Sequence, residues 1–222
     1  LKDSSQISVF AFCRIVLARI EWLWLTMDKI EEALREGQAV VLPTETVYGL
    51  FAQALSKRAV DNVYALKKRP REKAMNLNVA SLEDILAFSK EAPAYLAELY
   101  KAFLPGPLTI VLKASEKVPA WINGGLSTVG FRVPAHPQTL AYIKQTGPLI
   151  GTSANLSGQA SGLVYREIQE AFANRLLGIQ DDKAIKGRDS TILDISSSRA
   201  KILRQGALTQ DAIQAHVKDI RF

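Results

Sequence analysis

From Ala39 onward, apolar residues fall into short runs separated by polar turns. Ala39-Val40-Val41-Leu42 is continuous over the length of a buried strand, and Leu108 to Leu112 and Val129 to Val133 repeat the pattern as central strands. Asn76 to Ala80, the run ending at Ile150, 191–195 and 200–203 read as further strands. Helical spacing fills the intervals. An amphipathic first helix with acids in its early turns is closed by Gly37, and Val60, Val63 and Tyr64 follow a Ser56 cap and are stopped by Pro70. Ile85, Leu86 and Phe88 follow the capping-box-like Ser81-Leu82-Glu83-Asp84, and Pro93 sits near the first turn of the next helix. Helices near 137–145 and 164–177 flank the strand ending at Ile150, and a last helix starts at about Thr209. Pro105-Gly106-Pro107 is a rigid turn. This alternation, without internal repeats, predicts an α/β fold with α+β-type layering: a twisted mixed β-sheet with helices on its faces.

The first 26 residues differ. Ile7 to Leu25 is apolar and aromatic but interrupted by Arg14, Arg19 and Glu21, so it is neither a clean membrane span nor, lacking a small-residue cleavage site, a signal peptide. Met27 is expected to be the natural start, with 1–26 an upstream extension and 27–222 one domain. The 222 residues, 48% hydrophobic and 23% charged, have ordinary globular composition. The formal charge of +6 favours anionic partners such as nucleotides or RNA. With one cysteine, Cys13, and two histidines, His136 and His216, neither a disulfide framework nor a Cys/His zinc site can be assembled. Lys and Arg charges with a bound metal are then the expected source of catalysis.

Four groups of residues carry candidate chemistry. Lys67 and Arg69 would project to one side of an extended segment and could clamp a triphosphate; the alternative is that Lys67-Lys68-Arg69 complements a helix C-terminus. Thr44, Thr46 and Tyr48 recur every second residue and would display hydroxyls on one face of a strand, either to a ligand or as an ordinary edge. Arg132, inside an apolar run, requires an anion, supplied by a ligand or by a structural Asp or Glu. The loop Gly151 to Gly158 could hold an anionic ligand through Ser153 and Asn155, or those side chains could satisfy their own backbone. The common phosphate-binding glycine fingerprints are absent.

The ordered set Lys67, Arg69, Ser153 and Asn155 matches a K-x-R…S-x-N signature, with supporting blocks PTETVYGL at 43–50, PGPLTIVL at 105–112, FRVP at 131–134, TSANLSG at 152–158, ST at 190–191 and ILRQG at 202–206. Together these resemble the YrdC-like threonylcarbamoyl-AMP synthase family, also called TsaC, over about residues 28–215. The resemblance implies a twisted mixed sheet with a concave basic cavity, in the short bacterial-type form. It implies a cytoplasmic nucleotidyltransferase, with no membrane association. L-threonine and bicarbonate would give N-carboxythreonine, which attacks ATP to form threonylcarbamoyl-AMP and pyrophosphate for tRNA N6-threonylcarbamoyladenosine modification. Lys67, Arg69, Ser153 and Asn155 would be catalytic and ATP-binding, and Arg204 a further ATP contact. Thr44, Thr46, Asn78, Arg132 and Ser190 would bind threonine. Mg²⁺ would accompany ATP, with no protein side chain expected to ligate it. The partners implied are a TsaD-type transfer complex and tRNA or double-stranded RNA. Two positions depart from the family pattern: Ala74-Met75 replaces Pro-Leu, and Asn78 stands where the family often has histidine, which can hydrogen-bond but carries no titratable charge. The alternatives are an RNA-binding module and a YciO-like paralogue without this activity.

Overall fold

The computed structural model describes residues 29–222; the extension, Cys13 and the expected start at Met27 lie outside the described residues. A helix over 29–35 (α1) ends at Gly37, whose φ of +76° suits glycine. There follow β1 (Val40–Leu42), β2 (Gly49–Gln53), α2 (Lys57–Lys67), β3 (Asn76–Asn78), α3 (Leu82–Phe88), α4 (Leu96–Phe103) and β4 (Leu108–Lys113). Next come α5 (Ala120–Asn123), β5 (Thr128–Arg132), α6 (Pro137–Thr146), β6 (Leu149–Ser153), α7 (Tyr165–Ala171) and β7 (Leu177–Gly178). A 3₁₀ turn at Asp182–Ala184 precedes β8 (Thr191–Asp194), β9 (Lys201–Arg204) and α8 (Gln210–His216). Ser56 and Ser81 cap their helices as expected and Thr209 caps α8, each side-chain oxygen accepting a backbone N–H three residues on.

The strands form one mixed sheet in the order β7-β1-β2-β6-β3-β5-β4-β8-β9. The pairings β1–β7, β3–β5 and β4–β8 are parallel and the other five antiparallel, three of them (β1–β2, β2–β6 and β6–β3) in succession. Several boundaries differ from the sequence reading. The helix expected over 164–177 stops at Ala171, because Ala173 and Asn174 take left-handed φ values of 56° and 54°. The strand expected over 76–80 ends at Asn78, and β2, β7 and α5 were not anticipated.

Alternation along the strands separates two cores. Val41, Leu50, Leu77, Ile110, Phe131 and Ile150 point to a large apolar cluster completed by residues of α2–α5, α7 and α8. On the opposite face Val40, Leu42, Phe51 and Leu149 pack with Ile30 and Leu34 of α1 and Tyr142 and Ile143 of α6. Among the described residues, that second core covers the β1–β2–β6 side only. Over β3, β5 and β4, the same face carries Asn78, Arg132 and Thr109, cross-strand neighbours in register. Leu77 lies at the centre of the sheet and is fully buried in the larger core, whereas Leu203 on edge strand β9 is 51% exposed. Leu77→Ala should lower unfolding free energy by about 2–5 kcal/mol and Leu203→Ala by less than about 0.5 kcal/mol, read from urea midpoints.

Candidate active site

Glycines make the cavity floor. Register places Phe51, Gly151 and Asn76 in one row across β2, β6 and β3, with Gly49 opposite Ser153 in the next row. Gly130 lies two residues before Arg132 and shares its face of β5. A Cβ at Gly151 would strike the Asn78 amide and the Phe51 ring, and one at Gly130 would strike the Asn76 amide oxygen. The space so kept is a cavity of about 220 Å³ lined by Thr44, Arg69, Asn76, Asn78, Arg132, Ser153, Asp189, Ser190 and Arg204 among others. Seven of the ten residues singled out from sequence line it: Thr44, Arg69, Asn78, Arg132, Ser153, Ser190 and Arg204. Thr46, Lys67 and Asn155 do not.

Thr44 to Tyr48 is a turn, not the extended strand that the Thr-x-Thr-x-Tyr alternation predicts. The Thr44 hydroxyl explains it, accepting the N–H groups of Thr46 and Val47 at 3.2 and 3.3 Å and donating to the Val47 carbonyl at 2.6 Å. The turn brings Thr46 Oγ1 to 2.9 Å from Thr44 Oγ1 and to 2.6 Å from Arg132 Nη2, so the Thr46 hydroxyl serves the arginine rather than the cavity. Arg132 Nη2 also donates to Glu45 Oε1 at 2.7 Å, and Glu45 Oε2 accepts the Ala135 N–H at 2.9 Å. Both side chains of the pair are nearly buried, at 12% and 13% exposure. The structural acid that a buried guanidinium requires is thus Glu45, which the sequence reading passed over. Arg132 still lines the cavity, and its Nε is buried with no hydrogen-bond partner among the described residues.

Lys67 and Arg69 do not share one side. The helix α2 continues through Lys67, and Lys68 turns into the left-handed region with φ 50°, closing the helix through Lys68 N–H to Ala65 and Arg69 N–H to Tyr64. Lys67 therefore points inward, 1% exposed. Its ammonium donates to the carbonyls of Ser153 and Asn155 and, at 3.4 Å, to Asn155 Oδ1, while its own carbonyl accepts Ser157 N–H at 2.9 Å. Burial, with the nearby Arg69 charge, pushes the Lys67 ammonium down to about 8. Arg69 turns the other way, donating from Nε to Lys73 O at 3.0 Å and from Nη2 to Ala74 O at 2.8 Å, which fixes it on the cavity wall.

The Ser153–Gly158 loop satisfies itself. Ser153 Oγ donates to Asn155 Oδ1 at 2.5 Å, and Asn155 Nδ2 donates to the carbonyls of Leu156 and Gln159, both at 2.8 Å. Asn155 is spent on loop shape, and Ser153 alone of the two faces the cavity. On the far wall Ser190, 3% exposed, sits 3.0 Å from Thr109 Oγ1. Arg204 Nη2 donates to the Ser190 carbonyl at 2.9 Å and to its hydroxyl at 3.2 Å, and Asp189 lies 3.8 Å from Arg204 Nη1. Tyr48 OH donates to Asp182 at 2.8 Å and accepts Asp181 N–H at 2.7 Å, anchoring the segment that leads to Asp189 and Ser190; burial and the Asp182 carboxylate push its phenol pKa up. Among the described residues, three guanidinium groups and one carboxylate thus border the cavity. Among the described residues, no helix is long and apolar enough to cross a membrane.

The Sua5–YciO–YrdC family model, described as "Telomere recombination", matches residues 32–206. The chain is 39% identical over 190 residues to the threonylcarbamoyl-AMP synthase of Pyrococcus abyssi (strain GE5 / Orsay), covering 85% of this chain and 56% of that protein. It is 33% identical over 183 residues to the synthase of Vibrio campbellii (strain ATCC BAA-1116), covering 81% and 98%. The crystal structure of P. abyssi Sua5 complexed with L-threonine superposes with a TM-score of 0.82 at 38% identity, over 88% of this chain and 58% of that one. The chain spans little more than half the length of the archaeal relative and nearly all of the Vibrio one. The signature, the supporting blocks and the mixed sheet that gathers them around one cavity have a common origin: the chain belongs to the Sua5–YciO–YrdC family.

Proposed function

We propose that this chain makes threonylcarbamoyl-AMP and pyrophosphate from L-threonine, bicarbonate and ATP, a nucleotidyl transfer. The observation that carries the reading is the convergence of Arg69, Arg132 and Arg204 on one glycine-floored cavity that also holds Thr44, Asn78 and Ser190. Its two ends suit different ligands. Arg69 and Ser153 stand where the signature loop meets the wall and would receive the triphosphate. Asn78, Arg132, Thr44 and Ser190 stand at the other end and would receive threonine, the guanidinium meeting its carboxylate and the neutral groups its hydroxyl. Arg204, braced by Ser190, would turn its remaining donors to ATP.

The amine of threonine and bicarbonate give N-carboxythreonine and water. A carboxylate oxygen of that carbamate then attacks the α-phosphorus, the bond to the bridging oxygen breaks, and pyrophosphate departs. Fixed cations lower this barrier by stabilising charge on the phosphoryl oxygens and the leaving group. Asp189, already beside Arg204, is a poor start for a divalent site that needs several oxygens, so Mg²⁺ would enter as MgATP with the triphosphate as its ligand. A cytoplasmic setting and a TsaD-type complex that passes the product to tRNA complete the proposal.

Pyrophosphate release from ATP and Mg²⁺ should require both L-threonine and bicarbonate; release that ignores either, or none at all, would favour a YciO-like paralogue or an RNA-binding module. Arg69→Ala should lower kcat/KM by roughly 10- to 100-fold with little change in unfolding midpoint, the loss of one charge-assisted contact.

Lys67 acts in this reading through the loop rather than on the phosphates. Its folded-state value near 8 lies below the value of about 10.4 expected in the unfolded chain, so between these the unfolded state binds more protons. Relative to Lys67→Met, the wild-type protein should therefore gain stability as pH rises from about 8 to 10, while its turnover falls as the ammonium clasp loses its proton. Urea unfolding and pyrophosphate release across that range test the sign: stability and turnover falling together would oppose it.

A further inference from the structure

Asn76 has no role so far, yet its place is unusual. It shares the cavity face of β3 with Asn78, two residues away, and both are within the cavity lining. Neither amide makes a hydrogen bond within the protein among the described residues, although Asn78 is only 3% exposed. Arg132 Nε is a buried atom without a partner and neither of these amides is, so both amides open onto the cavity with their donors and acceptors uncommitted, placed to be completed by a ligand. Each lies in a slot that a glycine keeps open: Gly130 of β5 faces the Asn76 amide oxygen, and Gly151 of β6 faces the Asn78 amide nitrogen.

Register fixes the order along the groove. Asn78 is the cross-strand neighbour of Arg132, at the end assigned to the amino acid. Asn76 is the neighbour of Gly151, two residues before Ser153 on the antiparallel strand, and Ala74 and Arg69 lie beyond it at the end assigned to the triphosphate. Asn76 therefore stands between the two ends. Resting on the reading above, we infer that Asn76 holds the bicarbonate-derived carboxyl group, its amide donating to a carbamate oxygen where that group approaches the α-phosphorus. A neutral donor suits the position. It orients the carboxylate without pairing so tightly that the attacking oxygen loses its nucleophilicity, and it adds no charge for the triphosphate to compete for.

The test is steady-state pyrophosphate release by the full chain, with each of the three substrates varied in turn and carbonic anhydrase present to keep bicarbonate and carbon dioxide equilibrated. Asn76→Leu, close in size and without donors, should raise the half-saturating bicarbonate concentration roughly 10- to 100-fold and leave the KM values for threonine and ATP within about threefold. Asn76→Asp should be worse because it sets a second anion against the first, and Asn76→Ser should recover part of the loss. Gly130→Ala probes the same point from the neighbouring strand, since the atoms nearest its methyl belong to the Asn76 amide and to Thr109. It should reproduce the bicarbonate-selective defect, whereas Gly151→Ala, which crowds Asn78 and Phe51, should not be selective for bicarbonate. Urea midpoints confirm folding of each variant. Unchanged bicarbonate dependence in folded Asn76→Leu and Asn76→Ser, or an equal shift in all three substrates, would overturn the assignment and leave the synthase reading standing. No threonine- and bicarbonate-dependent release by the wild-type chain would remove both.

Discussion

Every second residue of a strand points to the same face, so the centre of a broad sheet fills with side chains unless something prevents it. Here Gly130 and Gly151 flank β3, and Gly49 continues the gap one strand further out. Their missing side chains admit the Asn76 and Asn78 amides and the edge of the Phe51 ring. The helices accept this arrangement because α1 and α6 pack only over the β1–β2–β6 side, where Val40, Leu42, Phe51 and Leu149 offer an apolar surface. A helix extended over β3 and β5 would bury Asn78 and Arg132 against carbon, a cost of several kcal/mol. Cavity and polar face therefore require one another, and the large core on the opposite face carries the stability that both spend.

The cations around the cavity are held in two ways, and the difference decides the field inside. Arg132 is neutralised by Glu45, a carboxylate braced in turn by the Ala135 N–H. Arg204 is held by the carbonyl and hydroxyl of Ser190 with the Asp189 carboxylate 3.8 Å away, whereas Arg69 is held by two main-chain carbonyls. Carbonyl dipoles orient a guanidinium but leave its net charge uncompensated. The wall that carries Arg69 thus keeps a positive potential, while the end that carries Arg132 presents hydrogen bonds more than charge. Such a gradient matches a ligand set whose charge is concentrated in a triphosphate.

Much of the frame was legible. The caps at Ser56 and Ser81, the start of the last helix near Thr209 and the apolar runs of β1, β4, β5 and β6 were placed from sequence because each is a local signal. The misses share a different cause. Thr-x-Thr-x-Tyr has the period of a strand, but one hydroxyl, that of Thr44, accepts two successive N–H groups and bends the chain. Lys-Lys-Arg-Pro read as extended because proline disfavours helix before it, yet the break fell one residue earlier, at left-handed Lys68. Glu45 escaped because its partner Arg132 is distant in sequence, and an ion pair between a turn and a strand leaves no periodic trace. Asn76 was read only as part of a strand, though the lone glycines inside Val129-Gly130-Phe131 and Ile150-Gly151-Thr152 already indicated close approach on both sides of it.

The signature itself changes meaning once folded. Lys67 and Asn155 are far apart along the chain, and their joint presence would suggest four groups converging on one ligand. Instead, Lys67 binds the carbonyls on either side of Ala154 and returns its own carbonyl to Ser157, so that one buried side chain and its backbone grip both ends of the loop. Ser153 and Asn155 close the remaining angle through their side chains. What reaches the cavity from this set is Arg69 and Ser153. The other two shape the surface on which a phosphate would rest, and because the clasp is an ammonium without a carboxylate partner, the shape of the loop depends on a charge that the interior holds only weakly.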